Sequence, residues 1–331
     1  MQFGLFGGAR TKRGTNLGTG DSHSYRGFID YAVEAERLGF DSVFLVEHHF
    51  TGQGQVSASL TLLAYLAART SRIRLGTAVV VLPWHNPVLI AEQAATLDLL
   101  SGGRLDLGIG KGYRAAEFSG FCIPQEEASE RFDEAVDVIR KAWTEPGRFS
   151  HRGKRWRYEN IVVEPEPVQR PHPPLWLAAG SPESIRRAAR EGFNLLLDQI
   201  ASVRLILQRV ALFREACAEA GRAYDPSMVA VARALQMVRS EEEREAAYET
   251  RAQVLRVIGD LARGEAAPSD VRRDDAALLG TAEEIIARLR QLRDGGVQRV
   301  LLVDPKAHVK SLRDFAAEVM PALADRCAAA E

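Results

Sequence analysis

Short apolar runs alternate with amphipathic stretches along the chain, and their periods separate strands from helices. Phe3 to Phe6 reads as a buried strand. Phe28, Ala32 and Ala35 then share one helical face that ends at Gly39, a C-terminal cap position. Ser42 to Val46 is the second strand, followed by a helix through about Ser57 to Ala68. Ile73 to Leu82 is rich in β-branched residues and too continuously apolar to have a solvent face; such runs mark strands of a parallel sheet covered on both sides. Asn86-Pro87 supplies an N-cap and a proline at the first helical position. Ile90, Ala94, Leu97 and Leu100 line the inner face of that helix, and Gly102-Gly103 stop it. Leu105 to Ile109 is the fourth strand, and Phe132, Val136, Ile139 and Trp143 mark the next helix. Leu175 to Ala178, Asn194 to Leu197, Met228 to Val231 and Arg299 to Val303 supply four more strands. Between and after them lie helices marked by Ile185/Ala188/Ala189, Ile206/Val210/Phe213/Cys217, Ile285/Leu289/Leu292 and Leu312/Phe315/Val319.

About eight strand–helix units is the count that closes a parallel sheet into a barrel. A doubly wound open sheet normally needs fewer strands and often a second domain. No linker rich in Pro, Gly or Ser divides the chain, so the pattern predicts one α/β domain over residues 1–331, a (β/α)8 TIM barrel. Two stretches exceed a simple unit. Thr144 to Pro174, after strand four, carries short strands around Arg155 to Tyr158 and Ile161 to Val163. Leu261 to Leu279, after strand seven, is charged and weakly patterned. Connections this long are functional or simply solvated.

Composition narrows the function. The 43 basic and 44 acidic residues leave a formal net charge of -1, and the pI is near 6.7. That balance argues against a nucleic-acid-binding surface, for which a pI above about 9 is expected. No apolar run reaches the roughly 18 residues that span a bilayer, and no basic stretch precedes the apolar start, so neither a membrane segment nor a signal peptide is expected. Three widely spaced cysteines, Cys122, Cys217 and Cys327, suggest no disulfide or metal framework and suit a reducing cytoplasm.

In a barrel of this kind the chemistry sits at the C-terminal ends of the strands. Glu47-His48-His49 follows the second strand, and an imidazole there can serve as general acid or base. The neighbouring carboxylate can fix a tautomer or support a protonated ring. Adjacent side chains of an extended segment point to opposite faces, so His48 and His49 should play different roles. A metal site competes with this reading, but the two histidines lack the i, i+4 helical spacing of a metalloprotease, and a pair of hydrogen-bonded histidines in a packed turn carries about equal weight. Gly108-Ile109-Gly110-Lys111-Gly112 resembles a nucleotide loop, yet Tyr113 stands where a dinucleotide fingerprint needs its third glycine. Lys111 is either a phosphate contact or an ordinary surface lysine. Gly180-Ser181-Pro182-Glu183-Ser184 runs from a strand into a helix whose first N–H groups can receive an anion, Ser181 being the natural N-cap. An ordinary cap fits it as well. Thr281 and Glu284, by contrast, form a capping box that occupies such donors itself.

Together these segments resemble the bacterial luciferase-like, flavin-dependent monooxygenase family. The resemblance rests on Glu47-His48-His49-Phe50-Thr51, Leu75 to Pro83 with His85-Asn86-Pro87, Thr96-Leu97-Asp98 with Ser101-Gly102-Gly103-Arg104, Gly108 to Tyr113, Ala179-Gly180-Ser181 and Gly280 to Glu284. It implies a barrel that binds reduced FMN at its C-terminal face, with a separate flavin reductase supplying FMNH2 and oxygen adding at flavin C4a to form a peroxyflavin that oxygenates a small organic substrate. It places His48, with Glu47 beside it, in the catalytic role. Ala78-Val79 match a non-prolyl cis peptide against the flavin ring, and Gly110 and Tyr113 match ring-lining positions. Lys111 stands where the family carries a phosphate-contacting arginine, giving a point charge without the guanidinium fork. Gly180, Ser181 and Ser184 match the phosphate-binding helix start. The Leu261 to Leu279 stretch falls where luciferases carry a mobile lid. The resemblance also implies a homodimer through the helices after strands two and three, around Leu62, Tyr65, Leu66 and Ala95. It leaves two other readings: a deazaflavin (F420)-dependent hydride-transfer enzyme on the same barrel, and a non-catalytic flavin-binding protein, against which His48 argues.

Overall fold

The computed structural model describes residues 1–11, 24–261, 270–304 and 307–324. The apolar runs become strands and the amphipathic stretches become helices: β1 (Gln2–Gly7), α1 (Tyr25–Arg37), β2 (Ser42–Leu45), α2 (Ser59–Arg69), β3 (Arg74–Thr77), β4 (Val80–Val81), α3 (Pro87–Ser101), β5 (Leu105–Gly110), α4 (Ala115–Gly120) and α5 (Ala128–Thr144). After them come β6 (Phe149–Arg152), β7 (Arg157–Ile161), β8 (Leu175–Ala178), α6 (Pro182–Arg190), β9 (Asn194–Leu197), α7 (Val203–Glu219) and β10 (Val229–Met237). The chain continues through α8 (Glu241–Leu261), β11 (Leu278–Gly280), α9 (Ala282–Asp294), β12 (Arg299–Val303) and α10 (Val309–Glu318).

Eight strands pair in parallel around a closed ring, β1–β2–β3–β5–β8–β9–β10–β12 and back to β1. The predicted (β/α)8 barrel is therefore the observed one. Two apolar layers hold it. Outward-facing strand residues such as Leu75, Leu107, Leu195 and Leu302 meet the inner faces of the helices, whereas Phe44, Trp176, Leu196, Ala230 and Leu301 fill the lumen. Asn86 caps α3 through Oδ1, which accepts from the N–H of Val88 at 3.0 Å, and Gly102 ends it at φ +67°, as the sequence predicts.

Five expectations need correction. The run Ile73 to Leu82 is not one strand: β3 stops at Thr77, the Ala78–Val79 bond is cis, and β4 gives way to a 3-10 turn at Leu82–Trp84. The strands of the first insertion sit earlier, with Phe149 and His151 facing inward while Ser150 and Arg152 are exposed, a half-buried hairpin that a search for wholly apolar runs passes over. The seventh barrel strand extends to Met237 and pairs with β11 beyond the barrel rim. Where the stretch after it is described it carries regular elements: α8 ends at Leu261, a 3-10 turn covers Val271–Arg273 and β11 follows. Residues 262–269 of the expected lid, and Cys327, lie outside the described residues. On α3, Leu100 points outward rather than inward, with 64% of its surface exposed. Among the described residues no helix is long and apolar enough to cross a membrane.

Candidate active site

The segment after β2 turns across the C-terminal rim, held by the N–H of His48 donating to the carbonyl of Val56 at 3.0 Å. Beside it, the N–H of Ala78 donates to the carbonyl of Leu45 (2.7 Å), so the His48 segment and the Ala78–Val79 peptide leave neighbouring strands together. His48 Nδ1 lies 3.2 Å from Oε1 of Glu117, a buried carboxylate in the first turn of α4. Because a carboxylate accepts, that contact places the ring proton on Nδ1 and leaves Nε2 as the basic nitrogen. The same oxygen accepts from the N–H of His49 at 2.9 Å. Burial pushes the Glu117 carboxyl up, but the His48 and His49 hydrogen bonds and the Arg114 charge outweigh it and hold it below its ordinary value.

Glu47 does not touch the His48 ring in the contacts described; its carboxylate turns to His49 and to the loop after β4. Its Oε1 accepts from His85 Nε2 (2.8 Å), Trp84 Nε1 (2.9 Å) and His49 Nε2 (3.1 Å). Burial again works against ionisation, yet the hydrogen bonds from His49, His85 and Trp84 bring the carboxyl down to about 2. His48 and His49 thus serve different carboxylates, in keeping with their opposite directions. Glu47, His49 and His85 also bring three metal-type donor atoms within 4.8 Å of one another, without His48. Around them Trp84 stacks on Phe121 at 5.3 Å, and Phe121 in turn packs edge-on against His49 and Phe50.

Three of the ring-lining candidates, Ala78, Val79 and Gly110, lie together. Ala78 and Val79 pack against the lumen cluster, and a Cβ on Gly110 would lie 2.5 Å from Val79 Cγ2. Tyr113 stands at the rim, 54% exposed, with the Arg114 guanidinium 5.7 Å from its ring. Gly180, Ser181 and Ser184 follow the neighbouring strand, since Ile109 pairs with Leu177. Ser181 Oγ accepts from the N–H of Ser184 (3.2 Å), and Ser184 Oγ donates to the carbonyl of Ser181 (2.9 Å), so the α6 start caps itself. A Cβ on Gly180 would come 3.1 Å from the Arg209 guanidinium. Lys111 Nζ donates to Ser129 Oγ at 3.1 Å and lies 5.9 Å over the Phe132 ring, which also carries Arg187 of α6.

This barrel and these segments match the luciferase-like monooxygenase family over residues 1–299. The chain belongs to that family. It is similar to the oxygenase component of the flavin-dependent trigonelline monooxygenase of Acinetobacter baylyi, 32% identical over 52% of this chain and 48% of that protein. It is also similar to the F420-dependent glucose-6-phosphate dehydrogenase of Intrasporangium calvum, 35% identical over 50% of this chain and 52% of that protein. The chain therefore spans about half the length of the curated relatives it matches. Among solved structures, monooxygenase RslO1 from Streptomyces bottropensis superposes with a TM-score of 0.81 at 28% identity, covering 98% of this chain and all of that one.

Within this luciferase-like site, two residues escaped the sequence reading, and His85 was seen only as part of the family-like His85-Asn86-Pro87 segment, with no role. Trp84 stood beside that segment but carried no signal of its own. Glu117 sits between Ala116 and Phe118, 69 positions from the histidine it meets, and nothing in periodicity or spacing marks it.

Proposed function

We propose that this chain is the oxygenase component of a two-component, FMN-dependent monooxygenase. It takes reduced FMN from a separate reductase and uses dioxygen to oxygenate a small organic substrate. The observation that carries this reading is the His48–Glu117 contact at the C-terminal rim, because it leaves a basic nitrogen beside a buried, ionised carboxylate. The donor set suits a flavin phosphate. The Ser181 and Ser184 hydroxyls bond to each other and to the cap and can rotate to donate to an anion, and Glu183, the acidic residue in that turn, is exposed and free to face solvent. Gly110 leaves room at the Val79 side of the lumen where a side chain would intrude.

Ser181 and Ser184 would hold the phosphate with Lys111, and Ala78, Val79, Gly110 and Tyr113 would line the ring. When bound, the reduced flavin supplies the two electrons with which dioxygen is activated. His48 Nε2 takes up and returns a proton at the reacting oxygen, and Glu117 holds the ring while it does so. Trp84, Phe118 and Phe121 close the histidine side against water, as protection of a reactive oxygen species requires.

Turnover of a substrate panel with enzymatically reduced FMN under ¹⁸O₂ tests the reading, with one labelled oxygen expected in the product. In parallel, Lys111→Ala should weaken FMN binding roughly 10- to 150-fold, the loss of one charge-assisted hydrogen bond, while riboflavin binding stays nearly constant. Anaerobic turnover with reduced F420 and no label incorporation would replace the monooxygenase reading by the hydride-transfer one.

A further inference from the structure

Glu47 carries a buried charge that no lysine or arginine among the described residues meets; its ion-pair partners are the rings of His49 and His85 alone. Its two oxygens are used unevenly. Oε1 faces three nitrogens, His85 Nε2 (2.8 Å), Trp84 Nε1 (2.9 Å) and His49 Nε2 (3.1 Å), whereas Oε2 bonds to none of the described residues. A carboxylate offers about four lone-pair sites over its two oxygens, so three donors on one of them crowd it beside an idle neighbour.

The other tautomer of both rings removes the crowding. Neither His49 Nδ1 nor His85 Nδ1 hydrogen-bonds to a described residue, so each can carry the ring proton in place of Nε2. Both Nε2 lone pairs then face the carboxylate, and lone pairs facing a negative oxygen call for a cation between them. Such a cation also neutralises the buried charge, which a water molecule does not. The three ligand atoms lie within 4.8 Å of one another and come from two separate segments, Glu47 and His49 after β2 and His85 after β4. Two imidazoles and one carboxylate are a zinc ligand set.

We propose that Glu47, His49 and His85 bind one zinc ion, with water as the fourth ligand and Trp84 Nε1 keeping its hydrogen bond to the carboxylate. Bonds of about 2.0–2.2 Å at tetrahedral angles set ligand atoms roughly 3.3–3.5 Å apart. The two histidine contacts therefore open by a few tenths of an ångström, which rotation of the partly exposed rings allows. A six-coordinate iron would need three further ligands where Trp84 and Phe121 wall the His49 ring. His48 takes no part, because its Nδ1 faces Glu117. The ion is thus a structural clip between the histidine segment and the turn after β4, not a catalytic metal.

Crystals soaked in zinc chloride test this on the wild-type protein. An anomalous peak at the zinc edge is expected about 2.0–2.2 Å from the Glu47 carboxylate, His49 Nε2 and His85 Nε2; zinc found only on other side chains overturns the site. In solution, zinc at about 100 times its dissociation constant should raise the melting temperature by roughly 3–6 °C. Glu47→Gln keeps the shape of the side chain, and His85→Asn changes a partly exposed position, so both variants should fold. Each should weaken zinc binding more than about 100-fold by calorimetric titration, since loss of a ligand exceeds loss of an outer partner. His48→Ala should bind zinc as the wild type does. Undiminished binding in Glu47→Gln or His85→Asn, or its loss in His48→Ala, also overturns the assignment. None of these readouts uses flavin, so they are decided apart from the monooxygenase reading.

Discussion

Glu47 and Glu117 are both buried and both ionised, but their partners assign them different work. Glu117 touches the His48 ring, so it is a positioning residue for the proposed acid–base group. His48→Ala should lower turnover roughly 100- to 10,000-fold while FMN affinity changes by only a few-fold. Glu117→Gln should lose less, with Glu117→Asp recovering part of the activity and restoring the Nδ1–H tautomer seen by ¹⁵N NMR. A Gln variant with wild-type turnover would remove Glu117 from the site. Glu47 instead gathers three donors on one oxygen and ties the histidine segment to the turn after β4. Its carboxyl lies at about 2 in the folded protein against an ordinary 4.5. A depressed carboxyl stabilises the fold above the unfolded value, and the contribution disappears as pH falls through the folded one. The difference corresponds to a few kcal/mol, on the order of 3. Urea unfolding from pH 6 to pH 2 should therefore show stability falling below about pH 4.5, and Glu47→Gln should flatten that slope. Equal slopes in the two proteins would remove Glu47 as its source.

At the level of elements, what could be read from sequence follows from how each one is buried. The eight barrel strands are covered on both faces, so their apolar runs are continuous and stood out at once. Helix α8 gave no such signal. Its buried positions include Ala247, Arg251 and Leu255, a four-residue period whose middle member is an arginine. β11 has three residues, too few for any period, and the cis bond at Ala78–Val79 leaves no trace in hydrophobicity. The glycines of β5 were visible as a loop-like motif, but the structure gives two of them different tasks. A Cβ on Gly108 would stand 1.8 Å from the backbone oxygen of Thr77, whereas one on Gly110 would meet only the Val79 side chain. Backbone cannot step aside as a side chain can. Gly108→Ala should cost at least about 1–3 kcal/mol by overpacking or prevent folding outright, while Gly110→Ala should fold and lose flavin affinity. Comparable melting temperatures for the two variants would contradict this ordering.

At the level of the whole molecule, α2 and α3 pack side by side and form one outer face of the barrel. The dimer residues expected from the family resemblance divide here: Leu62, Leu66 and Ala95 are buried in the chain's own core, and only Tyr65 is exposed, at 52%. Sequence alone could not sort them, because apolar residues fall on both the inner and the outer sides of α2 and α3. The outward stripe of α3 carries Leu89 (52% exposed), Leu99 (45%) and Leu100 (64%). Leu89 and Leu100 are 11 positions apart, about three turns, and so lie on one face. Isolated surface leucines need no explanation, but three exposed leucines on one helix, with the polar Gln93 and Thr96 between Leu89 and Leu100, form a patch that a partner can cover. We propose that a second copy of this chain covers it, with Tyr65, Leu89 and Leu100 at the centre of a two-fold contact. Because such a contact is self-complementary, each substitution acts twice per dimer. Sedimentation at micromolar concentration should give a dimer for the wild type and a monomer for Leu100→Glu. Far-ultraviolet circular dichroism should be unchanged, since the side chain lies outside the core. Leu66→Glu, by contrast, should unfold the barrel rather than split a dimer. A wild-type monomer, or a dimer that survives Leu100→Glu and Tyr65→Glu together, would move the interface away from these helices.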